Sequence, residues 1–332
     1  LVKSTVVVIA KAEKVDLSRI SILALAEQYL AFIAELRHRR ISAVAVFVVG
    51  ALLLWALAFS WWAPGPFFPV FLLLVVVLVL FLAAIEYFDR VRERNYQPAF
   101  LPGVMACAMA PIATYNYGVS ALPLVVVLAF AAAAVSFIGA SGLDSNPMPN
   151  MAISMLGITW IGVLGSFGGA IVGLSNVVVG SADGPLSTVG TDTLCLLAVG
   201  VVANDVGALF VGSKVGRTPL RYWISPNKSI EGLIGGTMAT LGAMLLVQIA
   251  GRSHTWNSLG DLLLLGLVVS VAAPLGDLTE SMFKRNLDVK DFGNLIKGHG
   301  GVLDRFDGFL LTLPAVYYLT VALQPWVRSE EH

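Results

Sequence analysis

Long apolar runs dominate this chain and restrict its fold more than any other feature. Of its 332 residues, 57% are hydrophobic and 13% are charged, whereas soluble domains carry roughly 25% charged residues. A helix needs about 20 predominantly apolar residues to cross a bilayer. Nine runs meet this requirement, near residues 41–62, 67–88, 99–116, 119–140, 151–179, 193–212, 230–250, 260–281 and 302–325. The sequence therefore predicts an all-α polytopic membrane protein with about nine transmembrane helices.

The segment 16–37 precedes these runs and also has a helical pattern. Its apolar stretch is short and is interrupted by Glu27 and Gln28. We interpret it as an N-terminal amphipathic helix at the membrane interface, because such helices combine an apolar face with a charged one. A tenth transmembrane helix is the alternative.

Basic residues are distributed unequally between the connections, and this predicts the orientation. Short cytoplasmic loops of membrane proteins collect Lys and Arg. Most of these residues fall before residue 41 or in 89–98, 213–229 and 282–301, whereas 63–66, 117–118 and 180–192 contain none. The loop 141–150 gives no support, because it has no basic residue. We expect a multi-pass protein of a bacterial-type cytoplasmic (inner) membrane, with the N-terminus and the 282–301 loop on the cytoplasmic side.

Two further features exclude other classes of protein. The formal net charge is zero, so no overall basic field favours a nucleic-acid partner. Cys107 and Cys195 both lie in apolar runs without partners at ligand spacing. They are therefore interpreted as core residues rather than as disulfide or metal ligands.

Acidic residues within the apolar runs are the first functional candidates, because ionisable groups in a membrane are costly unless paired, hydrated or bound to metal. Asp205 lies in one run, and Asp277 and Glu280 lie in another. Asp277, Glu280 and Ser281 are spaced three and four residues apart, which places them on one helix face. A buried ion pair for Asp277 and an interhelical hydrogen bond for Asp205 are the structural alternatives.

Further acids flank these positions. Asp304 and Asp307 follow the charged loop, so the set offers several hard oxygen ligands of the kind that Mg²⁺ prefers. Glu86 lies at the end of the second run, where we interpret it as a helix-capping residue or as the i, i+4 partner of Arg90.

The loops around these acids supply anion-binding groups. The basic residues are Lys214, Arg217, Lys228, Lys284, Arg285, Lys290, Lys297 and Arg305. The run GHGG at 298–301 offers backbone N–H groups on a flexible turn, which can cradle a phosphate. His299 is a candidate proton shuttle or phosphate donor, or else an ordinary loop histidine. Acids for metal and bases for phosphate at one membrane face are typical of phosphoryl or nucleotidyl transfer to a lipid.

Two alternatives stand beside this hypothesis. In an ion-coupled transporter or channel, Asp205, Asp277 and Glu280 would form a conduction path, but such acids would be spread through the membrane depth. A membrane enzyme that transfers another nucleotide, or acts on another lipid or polyprenyl phosphate, is closer in chemistry.

Residues 281–307 resemble the signature of the phosphatidate cytidylyltransferases, the CDP-diacylglycerol synthases. The matching positions are Ser281, Lys284, Arg285, Lys290, Asp291, Gly293, His299, Gly300, Gly301, Asp304, Arg305 and Asp307. A second stretch is similar to the family's segment at Asp205, Ala208, Gly212, Gly216, Ser225, Pro226, Lys228, Glu231 and Gly232. Leu209 and Lys297 depart from the usual family residues.

The resemblance implies Mg²⁺-dependent transfer of CMP from CTP to phosphatidic acid, with release of pyrophosphate. It also leaves open a second cation and a homodimer. On this basis the expected metal ligands are Asp277, Asp304 and Asp205, with Lys284, Arg285 and His299 as further catalytic residues. The expected substrate-binding residues are Lys228, Lys290, Arg305, Ser281, Gly300, Gly301, Lys214 and Arg217. Glu280, Asp307 and Glu231 are expected to orient these groups.

The predicted organisation has four parts. Residues 1–40 form a cytoplasmic or interfacial segment, and 41–192 hold the first five transmembrane helices. Residues 193–325 hold the catalytic helices six to nine with their cytoplasmic loops, and 326–332 form a tail.

Overall fold

The computed structural model describes residues 68–139, 146–174, 189–250, 253, 255, 256, 258–293 and 300–325. In these residues it contains nine α-helices: α1 (Phe68–Glu93), α2 (Phe100–Tyr117), α3 (Leu122–Ile138), α4 (Pro147–Gly157), α5 (Leu164–Val172), α6 (Val189–Val215), α7 (Ile230–Ile249), α8 (Leu259–Asn286) and α9 (Leu303–Leu323). A 3₁₀ turn, Gly118–Ala121, joins α2 to α3, and a π-helical turn, Ile158–Val163, joins α4 to α5.

The all-α membrane architecture is confirmed, but the number of nine spans is not. Seven segments of the described chain are long and apolar enough to cross a membrane, with Phe100–Ile138 and Pro147–Val172 each taken as one segment. Eight of the nine predicted runs coincide with helices. The run 41–62 and the proposed interfacial helix 16–37 lie outside the described residues.

A short β-hairpin lies between α6 and α7, where no strand was predicted. Strand β1 (Pro219–Arg221) pairs antiparallel with β2 (Ser225–Ser229). Ser229 then caps α7, because its hydroxyl accepts the Gly232 N–H at 3.0 Å. Arg285 at the end of α8 donates from Nε to the Ile224 carbonyl at 3.2 Å. The hairpin is thus fixed against the ends of α7 and α8.

Hydrogen bonds between loops show which helix ends lie together. At one end, Arg90 donates to the Phe292 carbonyl at 3.0 Å and Arg94 donates to the Asp288 carbonyl. At another, the Trp256 indole donates to Thr193 at 3.0 Å, which joins the start of α6 to the segment before α8. The ends of α1 and α8 therefore meet, in agreement with the prediction that these two basic connections share one face of the membrane.

Glycines allow α6 and α7 to approach closely. A Cβ added at Gly207 would overlap the Ala239 side chain, and one added at Gly235 would overlap Val211. Small residues at such contacts are typical of helix pairs in lipid, where backbone packing replaces the hydrophobic effect. This contact brings the hairpin-bearing ends of both helices to one place.

We expect Gly235→Ala to destabilise the protein by about 1–3 kcal/mol, because the added methyl group would overlap the branched Val211 side chain. Gly242→Ala on the same helix is the matched control, since nothing lies within 4 Å of a Cβ there. Thermal unfolding in detergent micelles would measure both effects. Equal shifts in the two variants would contradict the assigned packing.

Candidate active site

Three carboxylates from two helices form a cluster. Asp277 and Glu280 of α8 and Asp307 of α9 each offer an oxygen, and these oxygens lie within 4.8 Å of one another. The i, i+3 spacing puts the first two on one face of α8. A Cβ added at Gly276 would meet the backbone of Asp307 and Gly308. Because this contact is so close, Asp307 reaches the face that carries the other two acids.

The chemistry of the cluster fits a hard divalent cation. Glu280 is fully buried, and its Oε1 has no hydrogen-bond donor among the described residues. A buried carboxylate beside two others is costly unless a cation or a proton offsets the repulsion. Carboxylate oxygens are the preferred ligands of Mg²⁺. The cluster therefore fits the expected metal, and it shares Asp277 with the predicted ligand set, whereas Glu280 and Asp307 were expected only to orient the ligands.

Two lysines contribute part of the positive charge. Lys228 of β2 forms an ion pair with Asp277. Lys284 lies between two acids, with its Nζ 2.6 Å from Glu280 Oε2 and 3.1 Å from Asp304 Oδ1. Both were predicted to contact phosphates, and the structure also gives each of them a carboxylate partner.

Asp304 lies outside the three-carboxylate cluster. Its oxygens accept the backbone N–H of Phe292 at 3.0 Å and of Gly301 at 2.8 Å, in addition to Lys284. Asp304 thus holds the two ends of the loop that joins α8 to α9. Its predicted role as a metal ligand stays a prediction, and the contacts show a loop-organising role.

A cavity of about 750 Å³ adjoins the cluster and is bounded by α6, the hairpin, α7 and α8. Asp205, Lys228 and Asp277 contribute polar lining. Leu209 and Leu233 contribute apolar lining from α6 and α7. The cavity therefore combines charged groups with an apolar wall, and it brings Asp205 to the same space as Asp277.

Some of the remaining predicted residues lie at the cavity or beside the cluster, and others are exposed. Arg217 lines the cavity. The Glu231 carboxylate fixes the backbone at this position, because it accepts the N–H groups of Arg217 at 3.1 Å and of Thr218 at 3.2 Å. Ser281 donates to Asp277 Oδ1 at 3.5 Å. Three basic residues, Lys214, Lys290 and Arg305, are exposed.

The glycine turn is described only from Gly300 onward. Gly300 has a φ of 81°, a conformation that favours glycine. The Gly301 N–H donates to Asp304, so in this conformation it serves a carboxylate of the protein itself. His299 and Lys297, with their predicted roles, lie outside the described residues.

Glu86 has a role that the sequence interpretation only partly anticipated. It does cap a helix, but the helix is α9: Oε1 accepts the Val302 N–H and Oε2 accepts the Leu303 N–H, both at 2.9 Å. Arg90 pairs with Glu93 rather than with Glu86. An acid in an apolar run does indicate a functional or structural role for Glu86. Nothing in the sequence, however, identified the start of α9 as its partner.

A carboxylate cluster beside a partly cationic cavity, built on membrane-spanning helices, defines a membrane protein with a candidate site for a metal ion and phosphates. The chain matches the sequence profile of the Cytidylyltransferase family over residues 37–323. It belongs to this family, as the signature predicted.

Several curated relatives are named phosphatidate cytidylyltransferase. The protein from Synechocystis sp. is 45% identical over 131 residues, which are 38% of this chain and 42% of that protein. The protein from Bacillus subtilis is 42% identical over 134 residues, 40% of this chain and 49% of that protein. The chloroplastic phosphatidate cytidylyltransferase 5 of Arabidopsis thaliana is 32% identical over 272 residues, 75% of this chain and 65% of that protein. The matched part is thus 42% to 65% of these relatives' length.

We expect Mg²⁺ or Mn²⁺ to raise the melting temperature of the purified protein, because a ligand that binds only the folded state stabilises it by about 2.7 kcal/mol at a hundred times its Kd. Asp307→Asn should abolish this shift, whereas Asp288→Asn should retain it, since the Asp288 side chain is 97% exposed. A thermal-shift titration would measure both. An unchanged shift in Asp307→Asn would exclude the cluster as the cation site.

Proposed function

We propose that this protein is a phosphatidate cytidylyltransferase, which transfers CMP from CTP to phosphatidic acid and releases pyrophosphate. The observation that carries the proposal is the three-carboxylate cluster beside a cavity lined by Lys228 and Arg217. The names of the relatives support the choice of substrates.

The proposed reaction needs positioning and charge neutralisation more than proton transfer. A phosphate oxygen of phosphatidic acid is already ionised, and it attacks the α-phosphorus of CTP. One P–O bond forms, the bond between the α- and β-phosphates breaks, and pyrophosphate leaves with the electron pair. Such displacements depend mainly on holding the reactants in line and neutralising their phosphates.

The residues of the cavity are suited to this task. Lys228 and Arg217 would bind phosphate oxygens. Asp277, Glu280 and Asp307 would hold Mg²⁺, which when bound would neutralise charge on the phosphates. We propose one such site, with Asp205, which lines the same cavity as Asp277, as the candidate ligand for a second cation. Lys284 would keep Glu280 and Asp304 in place.

The walls of the cavity suit one substrate from the membrane and one from water. Leu209 is 42% exposed and lines the cavity, and its neighbour Phe210 is also exposed. Exposed apolar side chains on a membrane-spanning helix suit contact with lipid. We propose that the acyl chains of phosphatidic acid lie along this side, while CTP enters from the hairpin side.

We further propose that the site faces the cytoplasm of a bacterial-type inner membrane. This orientation is supported by the basic residues Arg90, Arg92 and Lys284 in the last turns of α1 and α8, since basic residues tend to stay cytoplasmic. The homodimer suggested by the family resemblance stays a prediction.

We expect purified protein to convert labelled CTP and phosphatidic acid into lipid-linked cytidylate and pyrophosphate. Asp277→Asn should lower turnover about a hundredfold, as expected when an electrostatic contact to the transition state is lost. Asp89→Asn is the matched control, because Asp89 is an exposed acid of α1. Absence of both products with the unmodified protein would refute the proposed function, and near-normal turnover of Asp277→Asn would refute the metal assignment.

The orientation can be tested by cysteine labelling in a chain whose Cys107 and Cys195 are replaced by alanine. With Asp288→Cys, an impermeant maleimide should react in inverted vesicles but not in intact cells. With Ser120→Cys, in the turn between α2 and α3, it should react in intact cells. Both positions are exposed. The reverse pattern would show that the site faces outward.

A further inference from the structure

Glu86 connects α1 to the first turn of α9, 216 residues away. Both of its carboxylate oxygens are used, one for the Val302 N–H and one for the Leu303 N–H. The first N–H groups of a helix have no partner within that helix. The start of α9 has no side-chain cap of its own. Glu86 therefore supplies the acceptors that α9 lacks, and its negative charge also favours this helix end.

The surroundings of Glu86 leave little room for movement. A Cβ added at Gly301 or at Gly293 would overlap the Glu86 carboxylate. One turn further along α1, Arg90 donates to the carbonyl of Phe292, a residue that is 2% exposed. The carboxylate is thus enclosed by the two described ends of the loop between α8 and α9.

The position of α9 decides where Asp307 lies. Asp307 is about one turn beyond Leu303, and a helix rises about 1.5 Å per residue. A shift of α9 along its axis would move Asp307 relative to Asp277 and Glu280 by the same amount. The cluster therefore depends on what fixes the start of α9.

We propose that Glu86 is a positioning residue, which sets the place of Asp307 in the carboxylate cluster by holding the first turn of α9. It touches neither substrate nor metal and acts through the backbone. The proposal rests on the proposed function, because it assigns Glu86 a role in a cation-dependent reaction. This positioning role differs from simple capping of α9, which would change the stability of the protein without changing its affinity for the cation.

Glu86→Gln is the sharpest test, because the amide keeps the shape of the side chain but has only one acceptor oxygen. Its NH₂ group would face one of the two backbone N–H donors. We expect kcat to fall about tenfold to a hundredfold, and the half-saturating Mg²⁺ concentration to rise about tenfold, as for residues that orient metal ligands. The KM for CTP at saturating Mg²⁺ should be unchanged. Asp89→Asn removes an equal charge from the same helix and should change none of these values.

A coupled pair of substitutions tests the same contact without relying on one variant. In the unmodified chain, Gly293→Ala should raise the half-saturating Mg²⁺ concentration, because its methyl group would displace the Glu86 carboxylate. Combined with Glu86→Ala, which makes room for the methyl group, it should add no further effect. Such non-additivity is expected of residues in direct contact. Additive effects would overturn the proposal.

Hydrogen exchange separates positioning from capping. In Glu86→Gln, the amides of Val302 and Leu303 should exchange faster. If they do so while kcat and the Mg²⁺ dependence stay normal, Glu86 only caps α9 and the proposal is wrong. If the unmodified protein makes no lipid-linked cytidylate, the proposed function fails. The role of Glu86 is then judged by the Mg²⁺-induced shift in melting temperature, and equal shifts in both proteins would overturn it.

Discussion

Helices α8 and α9 approach each other closely where Gly276 meets the backbone of Asp307 and Gly308, and this approach brings three carboxylates together. Glu280 is fully buried, so water screens this group incompletely and nearby positive charge has to offset the repulsion. Lys228 and Lys284 supply part of it from inside the protein. The proposed divalent cation would supply the rest, and it could reach the cluster through the cavity that Asp277 lines.

The same charges organise the chain around the site. Lys228 belongs to β2, so its ion pair with Asp277 ties the hairpin to α8. Lys284 links Glu280 to Asp304, and Asp304 in turn holds the backbone at Phe292 and Gly301. In the proposed function, a phosphate that binds Lys228 would compete with Asp277 for this lysine. Binding of substrate and release of the Asp277 carboxylate would then be coupled through one ion pair.

The sequence predicted the helices of the described residues, but the number of spans is not confirmed and the site was predicted only in part. Long apolar runs identify membrane helices because lipid requires both length and hydrophobicity. The spacing of Asp277 and Glu280 placed them on one face, but their meeting with Asp307 depends on a contact between two helices. The hairpin could not be predicted, because β1 has only three residues, begins with Pro219 and has no alternating apolar pattern. The link from Glu86 to α9 joins residues over 200 positions apart, so no local pattern could reveal it.

The candidate site is also not confined to the C-terminal half that carries the signature. Glu86 and Arg90 belong to α1, yet they hold the backbone at Phe292, Val302 and Leu303. Without α1, the first amides of α9 would lose their acceptors, and each buried N–H without a partner costs about 1–3 kcal/mol. The helix that places Asp307 would then be free to shift. This dependence gives a physical reason for the family profile to include α1 as well as the signature.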